Sequence, residues 1–299
     1  MMLRWSDEYG RMGWRSFTAL AALTAVAFGS TAAWAARGSA PTAALQVGLV
    51  ERGIYAGPVD GLDGSSTRDA VRMFQRQNGL VPDGVVGPQT RAAFGRWGRF
   101  ELGTRGIQLR DSGWDVAELQ FELAWHGFPS GFFNGVFGAH LLGALERFQE
   151  SERLSPDGVA GPATIDALRS PLPTCPIRLA WPVRAAVSSP FGPRGFGFHS
   201  GVDLAAPFGT EVTAAQDGYV SWASFMPDGW GNLVVVTGEA GAQTLYAHLS
   251  EIDVGLGRRV SVGTRLGLVG ATGDASGPHL HFEVRVRGAA VDPLPALNR

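Results

Sequence analysis

Two different periods of apolar residues divide the chain. Through its first half they recur at helical spacing, as Ala70, Val71 and Phe74 and again as Leu141, Ala144, Leu145 and Phe148. A Gly-rich loop precedes each predicted helix. The Pro-Asp-Gly and Gly-Pro pairs that follow read as turns, with proline placed in the first turn of a further helix. Beyond a Pro-rich stretch, 170–182, the pattern changes to short runs rich in Val, Thr and Gly. These predict strands over 211–215, 218–223, 233–237, 244–248, 265–269 and 279–287. Many short strands with glycine turns argue for an all-β domain of antiparallel sheets.

The helical half repeats. Asp60-Gly61 matches Asn134-Gly135, Phe74-Gln75 matches Phe148-Gln149, and 82–85 matches 156–159. Gly87-Pro88 and Thr90 then match Gly161-Pro162 and Thr164, all at one constant offset. That period is too long for a solenoid unit and fits two copies of a small domain, over 42–97 and 105–169. The predicted architecture is therefore multidomain: two small all-α, three-helix domains, a linker at 170–182, and an antiparallel all-β domain at 183–297.

Composition narrows the classes further. With 299 residues, 45% of them hydrophobic and 17% charged, the chain can hold two or three compact domains. A net charge of −2 gives no electrostatic case for nucleic acid. All 25 basic residues are arginine, which excludes a lysine nucleophile or Schiff base. Cys175 is the single cysteine and cannot make an internal disulfide; it reads as a small apolar residue. At the N-terminus, Arg4, Arg11 and Arg15 precede an apolar run from Phe17 to Phe28 and a small-residue site, Ala33-Trp34-Ala35. This is the layout of an export signal over 1–35, with an uncleaved membrane anchor as the competing reading. Either one puts the domains outside the cytoplasm.

The candidate chemistry lies in the last third, which holds four of the six histidines: His199, His248, His279 and His281. Alternation through 277–284 puts His279 and His281 on one face of a strand, with Leu280, Phe282 and Val284 on the other. His199 and Asp203 stand four residues apart and share a face if that segment is extended. Ligands of the type His, Asp, His with an open fourth position form a catalytic rather than a structural zinc site. His248 is then left for chemistry. Glu283 shares the face of His281 and reads first as a solvated strand residue, second as a carboxylate backing a ligand. His126 and His140 have no partners that complete a ligand set and read as surface or half-buried residues. Trp97, Trp114 and Trp125 read as core in preference to sugar-stacking platforms.

Taken together, His199-x-x-x-Asp203, the segment 246–250, Gly270-Ala271-Thr272-Gly273 and Gly277-Pro278-His279-Leu280-His281-Phe282-Glu283 resemble the lysostaphin/LytM-type zinc endopeptidases, which cut peptidoglycan. The resemblance implies Zn²⁺ held by His199, Asp203 and His281, and His248 and His279 as the catalytic pair. It also implies a groove over the zinc walled by loops, with 191–198 and 225–231 the candidates here. The two N-terminal copies resemble the three-helix peptidoglycan-binding domain; the second departs from the pattern at Asn134 and Leu141, which bears on its ligand binding. The function implied is a secreted zinc metalloendopeptidase that hydrolyses peptide bonds of peptidoglycan, touching membrane only through the signal or an anchor. Two alternatives remain: a non-catalytic wall-binding protein or activator of another hydrolase, and a peptidase acting on an exported protein.

Overall fold

The computed structural model describes residues 37–238 and 241–297; the expected export signal at 1–35 lies outside them. Among the described residues no helix is long and apolar enough to cross a membrane. Six helices come first: α1 (Ala40–Val50), α2 (Ser65–Gln77), α3 (Pro88–Ala93), α4 (Trp114–Trp125), α5 (Ala139–Ser151) and α6 (Pro162–Leu168). Ser39 caps α1 by accepting a hydrogen bond from Thr42 N at 3.2 Å, and prolines open α3 and α6. The two three-helix copies share a core. α1 and α4 are buried nearly all round, α4 even at Asp115, Glu118 and Gln120, and they pack on one another. Phe74 and Phe94 of the first copy stack at 4.1 Å, and Phe94 meets Trp114 of the second edge-on at 5.7 Å.

One hydrogen-bonded device holds both loops inside each three-helix copy. Gln46, Gln75, Gln120 and Gln149 are buried on helices, and each donates Nε2–H to the side chain of Asp60, Asp83, Asn134 or Asp157 at 2.7–2.9 Å. Each Oε1 accepts from the next glycine's amide: Gly61, Gly84, Gly135 or Gly158. Those glycines have φ between 64° and 80°, a conformation that a Cβ would penalise. The repeat expected between the two domains thus recurs inside each of them. Asn134 offers the same acceptor oxygen as the aspartates. Leu141, in place of a threonine, gives up one hydroxyl and joins the core of the second copy.

The C-terminal half is antiparallel β, as the strand pattern predicts. Its main sheet runs in the order β1 (Ala186–Ser189), β4 (Val202–Ala205), β12 (Leu280–Val286), β8 (Gln243–Leu249), β7 (Gly231–Thr237), β6 (Gly218–Met226) and β10 (Arg259–Val260), with β13 (Ala289–Val291) also paired to β12. A second sheet joins β5 (Glu211–Thr213), β11 (Arg265–Leu268) and β9 (Glu251–Ile252). A separate hairpin pairs β2 (Gly192–Arg194) with β3 (Gly197–His199) where the sequence predicts a loop.

On one face of the main sheet Leu280, Phe282 and Val284 join Val202, Leu204 and Tyr246 in the principal core. Burying each such side chain contributes about 1.5–3 kcal/mol. Leu233, Val235, Leu245 and Ala247 cover part of the other face with Met226 and Trp230. The buried Tyr246 hydroxyl donates to Thr244 Oγ1 at 3.0 Å and accepts from Ala215 N at 2.8 Å; burial pushes its pKa up to about 12. Residues 177–181 run along this core, where Leu179 N donates to Ala296 O at 2.8 Å. The Cys175 thiol packs there too, and burial raises its pKa.

Candidate active site

The central strand β12 organises the site because it pairs on both edges. His281 lies opposite Asp203 of β4 on one side and Ala247 of β8 on the other, with His248 the next residue along β8. His199 ends β3, and the chain turns through Gly201 into β4. A Cβ on Gly201 would fall 2.5 Å from Phe282 O and 2.9 Å from His281 Cε1, so only glycine lets this crossing pass so close to β12. His279 precedes β12 and bridges to Gly270.

Three ligand-type atoms converge there. His199 Nε2 is 3.0 Å from His281 Nδ1 and 3.0 Å from Asp203 Oδ1, and His281 Nδ1 is 2.9 Å from that oxygen. All three residues are buried. Two imidazole nitrogens and a carboxylate oxygen lie close enough together to hold a metal ion as an N,N,O donor set.

Backbone carbonyls decide the tautomers, because a carbonyl only accepts. His199 Nδ1–H donates to Pro190 O at 2.8 Å, His248 Nδ1–H to Thr272 O at 2.8 Å, and His279 Nδ1–H to Gly277 O at 2.9 Å. Each ring therefore keeps the Nε2 lone pair free. His281 is turned the other way, with Nδ1 in the cluster and Nε2 3.8 Å from Glu283 Oε2.

His248 and His279 stand side by side with ring centroids 4.8 Å apart, and His248 is 5.9 Å from the His281 ring. His279 Nε2 is 3.7 Å from Asp203 Oδ1. His248 has a left-handed backbone, φ 61°, a sparsely populated region for a residue with a Cβ. Burial lowers its pKa, and the charges of His281 and His279 lower it further against the Thr272 bond. Burial works against the charge of Asp203 as well. The His199 and His281 rings beside it outweigh that effect and hold the carboxyl well below the usual carboxylate range.

The geometry unites all five residues singled out in the sequence and adds three whose contacts the pattern did not disclose. Arg194 donates Nη1–H to Asp203 Oδ2 at 3.1 Å, leaving Oδ1 to the histidines. Thr272 is pinned by its hydroxyl, which donates to Leu249 O at 2.9 Å and accepts from Asn232 N at 2.9 Å; its carbonyl is thereby held for His248. Trp230, from the predicted groove segment 225–231, sets its ring edge-on to His281 at 5.5 Å.

Glu283 is fully buried, which corrects its reading as a solvated residue. β12 has strands on both sides, and Arg285, itself stacked on Trp230, donates to Glu283 Oε1 at 2.8 Å. Burial pushes this carboxyl up, but Arg285 and His281 together keep it below its ordinary value. A second correction concerns His126, which is buried, with its ring nitrogen 2.9 Å from Leu168 O and its pKa lowered by burial. His140 is exposed as expected.

Residues 197–293, which contain all five side chains, match the model of peptidase family M23. This segment is an M23 peptidase domain. Residues 39–94 and 112–168 match the model described as “Putative peptidoglycan binding domain”. DD-carboxypeptidase/endopeptidase Mpg of Neisseria meningitidis serogroup B is 42% identical over 118 residues, 38% of this chain and 27% of that one. Peptidoglycan DD-endopeptidase ShyA of Vibrio cholerae is 38% identical over 138 residues, 44% of this chain and 31% of that one. The chain thus matches less than a third of the length of either relative. Among solved structures, the catalytic domain of lysostaphin from Staphylococcus simulans is 33% identical across 37% of this chain and 88% of that one, with a TM-score of 0.34.

Proposed function

We propose that this chain is a zinc-dependent endopeptidase, active outside the cytoplasm, that hydrolyses peptide bonds in peptidoglycan cross-links. The converging N,N,O triad, with two further imidazoles presenting free Nε2 atoms beside it, is the observation that carries the reading. Names of relatives that act as DD-endopeptidases favour a bond made by D-alanine over a glycine bridge. The paired helical domains favour the wall as substrate over an exported protein, and the Arg-flanked apolar N-terminus favours export.

His199, Asp203 and His281 hold the ion, and His248 and His279 work on the substrate. A zinc ion held there would supply a Lewis acid that lowers the pKa of its bound water to about 7 and polarises a carbonyl. His248 stays neutral in its buried position, and its Nε2 accepts the proton of the attacking water. His279, its Nδ1–H held by Gly277 O, stands beside His248 with a second free Nε2 that can take up and return a proton. The Thr272 carbonyl takes the Nδ1–H of His248, so the ring keeps one tautomer through the cycle.

To test this reading, the purified chain is incubated with isolated peptidoglycan, and released fragments are identified by mass spectrometry with and without a zinc chelator. New amine termini at D-alanyl bonds that vanish with chelator are expected. Sedimentation with the wall without any release would instead make the chain a binding or activating protein.

A further inference from the structure

The hairpin that carries His199 is tied to the peptidase half by Phe191, which packs on the principal core just before it, and by Arg194, which bonds Asp203. β2 and β3 pair only with each other and with no strand of either larger sheet. The hairpin's apolar side chains lean on the helical pair. Phe198 packs into the helical core, and Trp125, at the end of α4, meets Phe198 at 5.3 Å and Phe191 at 6.2 Å, each edge-on. Phe191 and Phe198 in turn meet at 5.0 Å. Both helical copies also take hold of the hairpin tip by backbone: Val59 N donates to Gly195 O at 2.8 Å, and Phe133 N to Phe196 O at 2.7 Å.

A second attachment lies on the sheet. Ala290 N in β13 donates to Gly127 O at 3.0 Å, and a Cβ on Gly127 would fall 2.3 Å from Ala290 O. Ala289 completes the core of the second helical copy. β13 pairs with β12, the strand of His281. The helical pair therefore spans from the strand bearing one metal-type ligand to the hairpin bearing another.

From these contacts we infer that the helical pair is a structural part of the metal site: it sets His199 against His281 and Asp203, with Trp125 as the positioning residue. Local restraints on His199, through Pro190 O and the Ser189 hydroxyl 3.4 Å away, fix the ring, and Arg194 ties the hairpin to Asp203, but Phe198 and the hairpin tip rest on the helical pair. The inference rests on the zinc reading of the site. It predicts that the helical domains govern ion affinity and turnover even on a substrate that needs no wall binding.

The test compares the wild-type chain with Trp125→Ala, Trp125→Leu and Trp125→Phe. Zinc affinity is measured by competition with a chromophoric chelator, hairpin protection by amide hydrogen exchange over residues 192–199, and turnover on a soluble peptidoglycan dimer; wall sedimentation is followed in parallel. Trp125→Ala is expected to weaken zinc about 10-fold, in the range found when the support of a metal ligand is removed, and to speed exchange across the hairpin. Trp125→Phe keeps an aromatic edge and removes a buried Nε1–H that has no acceptor among the described residues, so it should restore both. Should Trp125→Ala fail to fold, Trp125→Leu, which preserves apolar volume, decides. Folded variants with wild-type zinc affinity and protection would overturn the inference. A wild-type chain that binds no zinc would instead overturn the reading beneath it.

Discussion

Replacing Glu283 with Gln preserves the shape of a fully buried side chain and deletes its charge. If His281 offers Nδ1 to the ion, its Nε2 must carry the proton, and the carboxylate 3.8 Å away is the group it faces. Glu283 Oε2 has no other partner among the described residues. Two unit charges at that separation interact by about 4 kcal/mol at an effective dielectric of about 20. Imidazole bound to an ion carries only part of a charge, so this is a ceiling. Loss of a carboxylate behind a metal-ligating histidine typically costs about 10–100-fold in affinity, or about 1.4–2.7 kcal/mol, which fits beneath it. Zinc titration against a chromophoric chelator reads the effect directly, with circular dichroism to verify folding. A folded Glu283→Gln chain that binds zinc as tightly as wild type would refute the argument that this carboxylate sustains the ligand.

Other substitutions separate the remaining roles. His281→Ala should abolish zinc binding, whereas His248→Ala should retain zinc by the same titration and lose about 10²–10⁴-fold in turnover; full hydrolysis by His248→Ala would remove it from the mechanism. Tyr246→Phe leaves the Ala215 amide buried without its acceptor, so urea melts should show a loss of about 1–3 kcal/mol. Glu118, buried among the helices, has its carboxyl raised to about 6, chiefly by desolvation. The folded chain then holds this proton more tightly than the unfolded one, so stability falls by about 2 kcal/mol as pH rises from about 4.5 to 6. Glu118→Gln should flatten that part of the stability–pH curve, and an unchanged slope would show that other groups produce it.

What the sequence disclosed follows from the range over which its signals act. Alternation through β12 was enough to place His279 and His281 together and to bury Leu280, Phe282 and Val284. The same alternation could not report the fate of Glu283, because what covers the second face is Trp230 and Arg285, and Trp230 comes from the distant β6–β7 connection. Arg194 was equally hidden, since its bond to Asp203 depends on a hairpin whose support comes from another domain. In the helical half, Ala70, Val71 and Phe74 announced α2 through a clear apolar face. α1 has no polar face to set a period, because α4 covers what solvent would otherwise reach. Four-fold use of one Gln-to-loop bond escaped a comparison made at the longer repeat alone.

The left-handed backbone at His248 sets stability against activity at a single position. A residue with a Cβ costs about 1–2 kcal/mol there relative to glycine. His248→Gly should therefore relax the backbone while removing the imidazole, giving a chain that melts higher than His248→Ala yet is equally inactive. On the proposed mechanism, selection for hydrolysis would hold this histidine in place against the preference of the fold. In a lineage that kept the domain only to grip the wall, mutational drift would be expected to replace it early with glycine or asparagine.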